Sequence, residues 1–212
     1  MDTQREKVSY CIGLEAGKNL KMQFGDIDIT LLNQGFLDAL TEIPPKLAQE
    51  EIKSILQALK QEMEKQRQNY LLELSEENKR TGELFLQENK EKEGIVVLPS
   101  GLQYKVLKNG IGPSPHPFDV VATHYRASFI DGTVFESTYE QGRPQVFPLA
   151  RVIAGWSEAL QLMKVGDKWQ LFVPHYLAYG PNGFGNVIGP NATLVFEMEL
   201  VAINPNRASG SP

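Results

Sequence analysis

The segment from Ala48 to Asn89 constrains the fold of this chain more than any other, because it contains no proline and is rich in strong helix formers. A single helix of about 40 residues would be about 60 Å long, since each residue adds about 1.5 Å. Its apolar positions give way to polar ones such as Gln66 and Asn78. This pattern is typical of a solvent-bridging strut, and the heptad is too broken for a long coiled coil. We therefore predict a long helix that connects two regions.

Two shorter helices precede this segment. The apolar spacing predicts one from about Val8 to Leu20 and another from Ile29 to Leu40, with Asp28 as the cap of the second. Three helices over about 65 residues can hardly enclose a core alone. Pairing two copies would cover their apolar stripes, so we expect a homodimer. A monomeric helical hairpin folded back on the long helix is the alternative.

Composition limits the partners and the location of the protein. The chain has 212 residues, of which 42% are hydrophobic and 22% charged, as in ordinary soluble proteins. Its net charge of −5, with no basic cluster, argues against nucleic acid. The sequence contains no run of about 18 apolar residues, so it predicts no membrane span. Without a signal h-region the sequence as it stands predicts a cytoplasmic protein, and a periplasmic or cell-surface location is the alternative if a leader has been removed.

A single cysteine, Cys11, excludes an intramolecular disulfide. It lies between Tyr10 and Ile12, so a small buried apolar role is the first interpretation. An intermolecular disulfide stays open.

The second half of the chain alternates strand patterns with one short helical stripe. Val152, Trp156 and Leu160 belong to that stripe, which predicts one helix lying across a sheet. Asp131-Gly132 is a hairpin signal. The fold class is therefore α+β, with an antiparallel sheet wrapped around one short helix. The predicted strands are Val120 to Phe129, Thr133 to Glu136, Lys168 to Val173 and Ala192 to Val201, and a first strand pair, interrupted by Pro99 and Gly101, precedes them in IVVLPSGLQYKVLKNGIGPSPHPFD.

Several chemistries lack the residues that they require. His116, His124 and His175 are not spaced as metal ligands, so we predict no metal and no cofactor. No nucleophile elbow is present. The glycines of GPNGFGNVIG lack the Lys-Ser/Thr of a phosphate-binding loop and are better interpreted as a flexible flap.

Four separated motifs, VATHYRASFIDGTVFEST, VFPLARVIAGWSEALQLMKVGDKW, LAYG and IGPNATLVFEMELV, occur in this order. From about Leu98 to Asn204 they closely resemble the FKBP-type peptidyl-prolyl isomerase domain. The preceding segment resembles the N-terminal region of the macrophage infectivity potentiator subfamily. The resemblance implies a helical dimerisation region and stalk over residues 1–93, an isomerase domain over 94–204 and a tail over 205–212. It further implies proline-containing polypeptide clients, inhibition by FK506- or rapamycin-like macrolides, and a homodimer joined through the N-terminal helices.

The resemblance also implies the site, with Trp156 as its floor. Tyr179 would offer its hydroxyl, and Ile153 its backbone N–H, to the substrate carbonyl. The implied catalytic residues are Tyr125, Phe135, Glu136, Trp156, Tyr179 and Phe196. The implied substrate-binding residues are Phe147, Val152, Ile153, Phe184 and Ile188, of which the last two belong to the flap.

Glu136 departs from the family pattern, which commonly has Asp here. Its longer reach puts its hydrogen bond to Tyr125 in question and predicts weaker macrolide affinity.

Rotation about an X-Pro bond suits a cavity lined by aromatic side chains. The barrier of about 18–20 kcal/mol comes from amide resonance, and no covalent bond must break. Twisting the amide reduces its charge separation, so a dry apolar pocket favours the twisted state. The alternative is a holdase that uses the same cleft only for binding.

Overall fold

The computed structural model describes residues 1–205, so the predicted tail lies almost entirely outside the described residues. Its first three helices are α1 (Gln4–Gln23), α2 (Ile29–Leu40) and α3 (Gln49–Asn89). They confirm the predicted helices, although α1 is longer at both ends. The Thr3 hydroxyl accepts from the Glu6 N–H, and the Glu6 carboxylate accepts from the Thr3 N–H, which is the reciprocal cap that starts a helix.

Asp28 caps α2 as predicted. Its Oδ1 accepts hydrogen bonds from the N–H groups of Thr30 and Leu31, at 2.8 and 3.0 Å. These two donors have no partner within the helix. The negative charge of the carboxylate also interacts favourably with the positive end of the helix dipole.

The chain forms two compact units, and the division between them falls inside α3, between Met63 and Glu64. The boundary predicted at residue 93 follows the end of the helical sequence and stays a prediction. No helix within residues 1–205 is both long enough and apolar enough to cross a membrane.

The first unit exposes its apolar side chains. α1 contains no buried residue, and Leu31 and Leu40 of α2 are 66% and 79% exposed. Cys11 is exposed as well, so the interpretation of a small buried residue is wrong for the single chain. The same reason explains the exposure of apolar side chains throughout this unit. Three short apolar stripes on so few residues cannot bury one another.

The second unit contains one antiparallel sheet, which within the described residues has seven strands in the order β1-β2-β6-β7-β3-β4, with β5 paired to β3. The predicted strands are present within a few residues. A short strand, β5, was not predicted. The strands are β1 (Ile95–Val97), β2 (Gln103–Lys108), β3 (Val120–Phe129), β4 (Val134–Ser137), β5 (Gln145–Pro148), β6 (Lys168–Val173) and β7 (Leu194–Ile203).

One short helix, α4 (Ala154–Leu162), packs on this sheet and closes the core. Ala159 and Leu160 have no exposed surface. The approach is close, because a Cβ at Gly155 would lie 2.6 Å from Val173 Cγ1. Only glycine fits there. Val152 precedes the helix in extended conformation, so the helix is shorter than its apolar stripe.

The last part of α3 belongs to the second unit. One face of it is buried or half-buried, and its members recur at helical spacing: Leu74, Asn78, Gly82, Phe85 and Asn89. The Phe85 ring lies 5.9 Å from that of Phe172. The Asn89 amide donates to Gln103 Oε1 at 3.0 Å. The sheet therefore carries α3 on its other side.

Candidate active site

A cavity of about 460 Å³ opens at the N-terminal end of α4. Strands β3, β4, β5 and β7 supply one part of its wall, and the segment between β6 and β7 supplies another. The structure brings all eleven predicted site residues together around it: Tyr125, Phe135, Glu136, Phe147, Val152, Ile153, Trp156, Tyr179, Phe184, Ile188 and Phe196.

Trp156 lies at the bottom of the cavity and is 7% exposed. Three rings surround it. The centroids of Tyr125, Phe196 and Phe147 lie 4.8, 5.0 and 5.5 Å from its own, the first two edge to face. Such packing is favourable for aromatic quadrupoles and fixes the indole plane. The floor is therefore a rigid apolar surface.

The Tyr125 hydroxyl donates to Glu136 Oε1 at 2.7 Å. The longer reach of Glu, compared with Asp, does not prevent this hydrogen bond. Burial, followed by the hydrogen bond and the negative charge of Glu136, raises the pKa of Tyr125. The phenol therefore stays protonated, and its proton is directed at the carboxylate.

Tyr179 directly precedes the 3-10 turn Gly180–Asn182, and its ring stacks on Phe184 with centroids 4.9 Å apart. Burial, and then the charge of Glu136, raises the pKa of the Tyr179 hydroxyl. It remains a hydrogen-bond donor throughout the physiological range.

The loop after Tyr179 crosses the mouth of the cavity. Phe184 and Ile188 form a backbone bridge, in which each N–H donates to the other's carbonyl, at 2.8 and 3.1 Å. Phe184 is 62% exposed, whereas Ile188 is 6% exposed. Both side chains line the cavity, Ile188 from a buried position and Phe184 from an exposed one.

The Ile153 backbone stands at the start of α4. Its carbonyl accepts from the N–H groups of Trp156 and Ser157, both at 3.0 Å. These bonds fix the peptide group of Ile153 relative to the floor of the cavity.

Two lining residues were missed, Arg151 and Val187. Arg151 ends the 3-10 turn Leu149–Arg151 and is exposed. Both could have been found from their position, because each directly precedes a predicted lining residue.

The chemistry available in the cavity is limited. Glu136 and Arg151 are its charged lining residues, and the Glu136 carboxylate is engaged by Tyr125. No group of three or more His, Cys, Asp or Glu residues in the described part of the chain could hold a metal ion. The arrangement combines an apolar floor with the hydroxyl of Tyr179, since that of Tyr125 already donates to Glu136. It can bind an apolar ring and donate hydrogen bonds to a carbonyl.

Comparison with known proteins identifies the class. Residues 112–201 match the family described as FKBP-type peptidyl-prolyl cis-trans isomerase, and residues 5–106 match the domain amino terminal to it. The chain belongs to the FKBP-type peptidyl-prolyl cis-trans isomerases. It is an enzyme of that class, and the predicted resemblance is confirmed.

Within the family the chain is similar to several relatives over most of its length. It is 44% identical over 203 residues to "Outer membrane protein MIP" of Legionella longbeachae, covering 96% of this chain and 87% of that one. It is 39% identical over 203 residues to the FKBP-type 22 kDa isomerase of Escherichia coli K12, covering 95% and 97%.

The fold has a solved counterpart. The crystal structure of FkpA from Escherichia coli matches with a TM-score of 0.74 at 32% identity, covering 96% of this chain and 98% of that one. The α+β class, with N-terminal helices before an isomerase domain, is therefore confirmed. A purely non-catalytic holdase is not favoured.

Proposed function

We propose that this isomerase acts on X-Pro bonds of partly folded polypeptides and binds the prolyl ring against Trp156. One observation supports this most directly: a buried indole surrounded by three rings forms the floor of a cavity that is open to solvent. Pockets of about 300–1,000 Å³ suit small ligand groups, and this one is in that range. In an unfolded chain an X-Pro bond is free to rotate, whereas the tertiary contacts of a folded protein normally lock one isomer.

Catalysis rests on differential stabilisation of the twisted amide. The apolar floor and walls exclude water, so the planar and more polar ground state gains less there than in solvent. Tyr179 and the Ile153 N–H donate to the substrate carbonyls and hold the chain while the prolyl bond rotates. Phe184 and Ile188 close over the ring. No proton is transferred, which agrees with tyrosines whose raised pKa values keep them neutral.

The first helices join two copies into a dimer. The support is the exposed apolar surface of α1 and α2, which includes Ile12, Leu31 and Leu40. A groove in this unit, lined by Leu31, Ala39 and Ile52 among others, adds a concave apolar surface. Two active sites on one dimer raise the effective concentration of the second site for a client that is already bound. In this proposal residues 1–93 form the dimerisation region and stalk, and residues 94–204 the isomerase.

Macrolides of the FK506 and rapamycin type would compete for the same cavity. We place the protein in the cell envelope, since one relative is named as an outer membrane protein. The cytoplasmic prediction has no support. Fractionation of cells that express the protein with its natural leader, where one exists, tests this placement.

The decisive experiment compares two activities of the full-length protein. One is protease-coupled isomerisation of a Leu-Pro peptide, and the other is refolding of a protein limited by proline. Trp156→Ala is expected to lower both at least tenfold, while suppression of aggregation is kept. Peptide turnover that survives this change would contradict the proposed site.

A second variant addresses the dimer. Leu31→Glu places a charge on the exposed surface of α2, with Asn33→Glu as the control on the same helix. We expect Leu31→Glu to halve the molecular mass in solution and slow refolding, with peptide turnover unchanged. An unaltered mass would contradict dimerisation through this surface.

A further inference from the structure

We propose that α3 positions the catalytic flap: Ser75 and Asn78 hold the C-terminal end of the loop that closes the cavity. This inference rests on the proposed function, because it assigns a role to the flap in binding the prolyl group. Residues 180–191 make up the loop, and Tyr179 immediately precedes it. All of the contacts described below lie within the unit that begins at Glu64.

Two hydrogen bonds connect the helix to the loop. The Asn78 side-chain amide donates to the carbonyl of Pro190 at 2.8 Å. The Asn191 side-chain amide donates to the Ser75 hydroxyl at 2.7 Å. Asn78 and Ser75 are three residues apart, so they project from one face of α3. Consecutive residues of the loop are thus held by neighbouring positions of the helix.

The helix also packs closely against this part of the chain. A Cβ at Gly82 would lie 3.0 Å from Thr193 Cβ, and one at Gly189 would lie 3.1 Å from Leu74 Cδ2. Small residues on both sides permit this approach. A helix that served only as a spacer would have no need of a glycine at a buried position, since glycine costs about 1 kcal/mol of helix propensity.

Each tether lies next to a residue of the cavity. Ile188, buried in the cavity wall, is two residues before Pro190. On the other side, the Asn191 N–H donates to the Gly180 carbonyl at 2.8 Å, and Gly180 follows Tyr179. The contact of α3 with Pro190 is therefore two residues away from Ile188. From Asn191, one backbone hydrogen bond leads to Gly180, which is bonded to Tyr179.

Positioning of this kind matters because the loop has little regular structure to hold it. Within it the structure describes a short 3-10 turn and the Phe184–Ile188 bridge. Asn191 has a φ of 54°, a conformation that asparagine tolerates better than most residues. Productive binding requires the flap to occupy a narrow range of positions, and a displacement of about 1 Å can cost a large factor in rate.

The test uses the full-length protein. Asn78→Ala removes the donor to Pro190 and leaves a good helix former in its place. Gln87→Ala is the control, since it removes an amide from an exposed position of the same helix. We expect Asn78→Ala to lower kcat/KM on a Leu-Pro peptide about fivefold, whereas the control changes it by less than about 1.5-fold. Each variant is assayed at a temperature at which circular dichroism shows it fully folded.

A double-mutant cycle separates positioning from general stability. If Asn78 acts through the flap, its substitution should lower kcat/KM less than twofold in a protein that already carries Ile188→Ala. Ser75→Ala should lower turnover, and Ser75→Thr, which keeps the hydroxyl, should restore it. A fully additive cycle, or loss of thermal stability with unchanged kcat/KM, would overturn the inference. Trp156→Ala distinguishes the two proposals: if that variant is inactive while Asn78→Ala is normal, only the flap inference fails.

Discussion

The two units of this protein differ in the exposure of their apolar side chains. The first displays it on the outside of α1 and α2, with Leu31 and Leu40 mostly exposed. The second encloses it: among the described residues every buried hydrophobic side chain lies between Leu102 and Leu200. In the second unit the cavity with an aromatic floor stays open to solvent. An exposed apolar stripe is suited to another protein surface, whereas a cavity with an aromatic floor is suited to a small group.

One chain can therefore combine association, in its first unit, with catalysis, in its second. In the proposed dimer the first unit gains stability from its partner, so its effective stability should depend on protein concentration. The second has a core of its own, so its stability should not. Substitutions in each unit, and a change of pH, test whether the two units differ in this way.

Loss of core packing should have the largest effect. Leu171 on β6 has no exposed surface, and Leu171→Ala should lower the free energy of unfolding by about 3 kcal/mol. Urea denaturation followed by near-UV circular dichroism measures this. Leu40→Ala is the counterpart in the first unit; its effect should grow as the protein is diluted, whereas that of Leu171→Ala should stay constant. Equal behaviour on dilution would remove the contrast.

A change inside the cavity should alter ligand binding without altering association. Glu136→Asp restores the residue common in the family, and we expect FK506 to bind about tenfold more tightly, a gain of about 1.4 kcal/mol. Isothermal titration measures the affinity, and light scattering checks that the molecular mass is unchanged. The Glu136–Tyr125 hydrogen bond is already formed, so the gain would come from the shorter side chain at the ligand. Tight binding by the unaltered protein would refute this expectation.

Arg151 should contribute a smaller preference. It is an exposed cation at the edge of the cavity, next to Val152. Peptides with Glu before proline should lose about threefold in kcat/KM on Arg151→Gln, while peptides with Leu there lose little, because surface charge pairs are worth at most about 1 kcal/mol. Added salt should reduce the difference. A loss that is equal for both peptides would assign Arg151 a packing role instead.

The smallest effect should be that of pH. Tyr125 and Tyr179 both have raised pKa values in the folded protein, through burial and the charge of Glu136. Below about pH 10, the ordinary pKa of tyrosine, both are neutral whether the chain is folded or not, so their contribution to stability is complete. As the pH rises further, only the unfolded chain ionises, and stability falls. Turnover between pH 6 and pH 9 should be constant within about 1.5-fold; a bell-shaped profile would indicate an acid or a base in the mechanism.

Motif order and periodicity predicted most of the second unit. The alternating patterns predict the strands because their inward side chains are large and apolar, and the resemblance of the four motifs to the isomerase family predicts the cavity residues. Strand β5 was not predicted, since four residues give a short pattern and no Asp-Gly turn marks its start, as Asp131-Gly132 does for the equally short β4.

Two features could not be predicted for physical reasons. The face of α3 that packs on the second unit consists of residues such as Asn78 and Gly82, so hydrophobicity does not mark it, and only the structure shows what it contacts. Cys11 resembles a core residue in its local sequence, yet burial depends on neighbours that are distant along the chain or supplied by another copy. Local pattern carries no information about either.

The two tryptophans of this chain occupy very different places. Trp156 is the floor of the cavity, whereas Trp169 stacks on Tyr104 at 4.1 Å and does not line it. Ultraviolet emission from the protein is therefore the sum of one indole that meets whatever enters the cavity and one that does not. In a Trp169→Phe protein the remaining indole would be a built-in optical reporter, so that inhibitors and peptides could be titrated by emission alone, without a label.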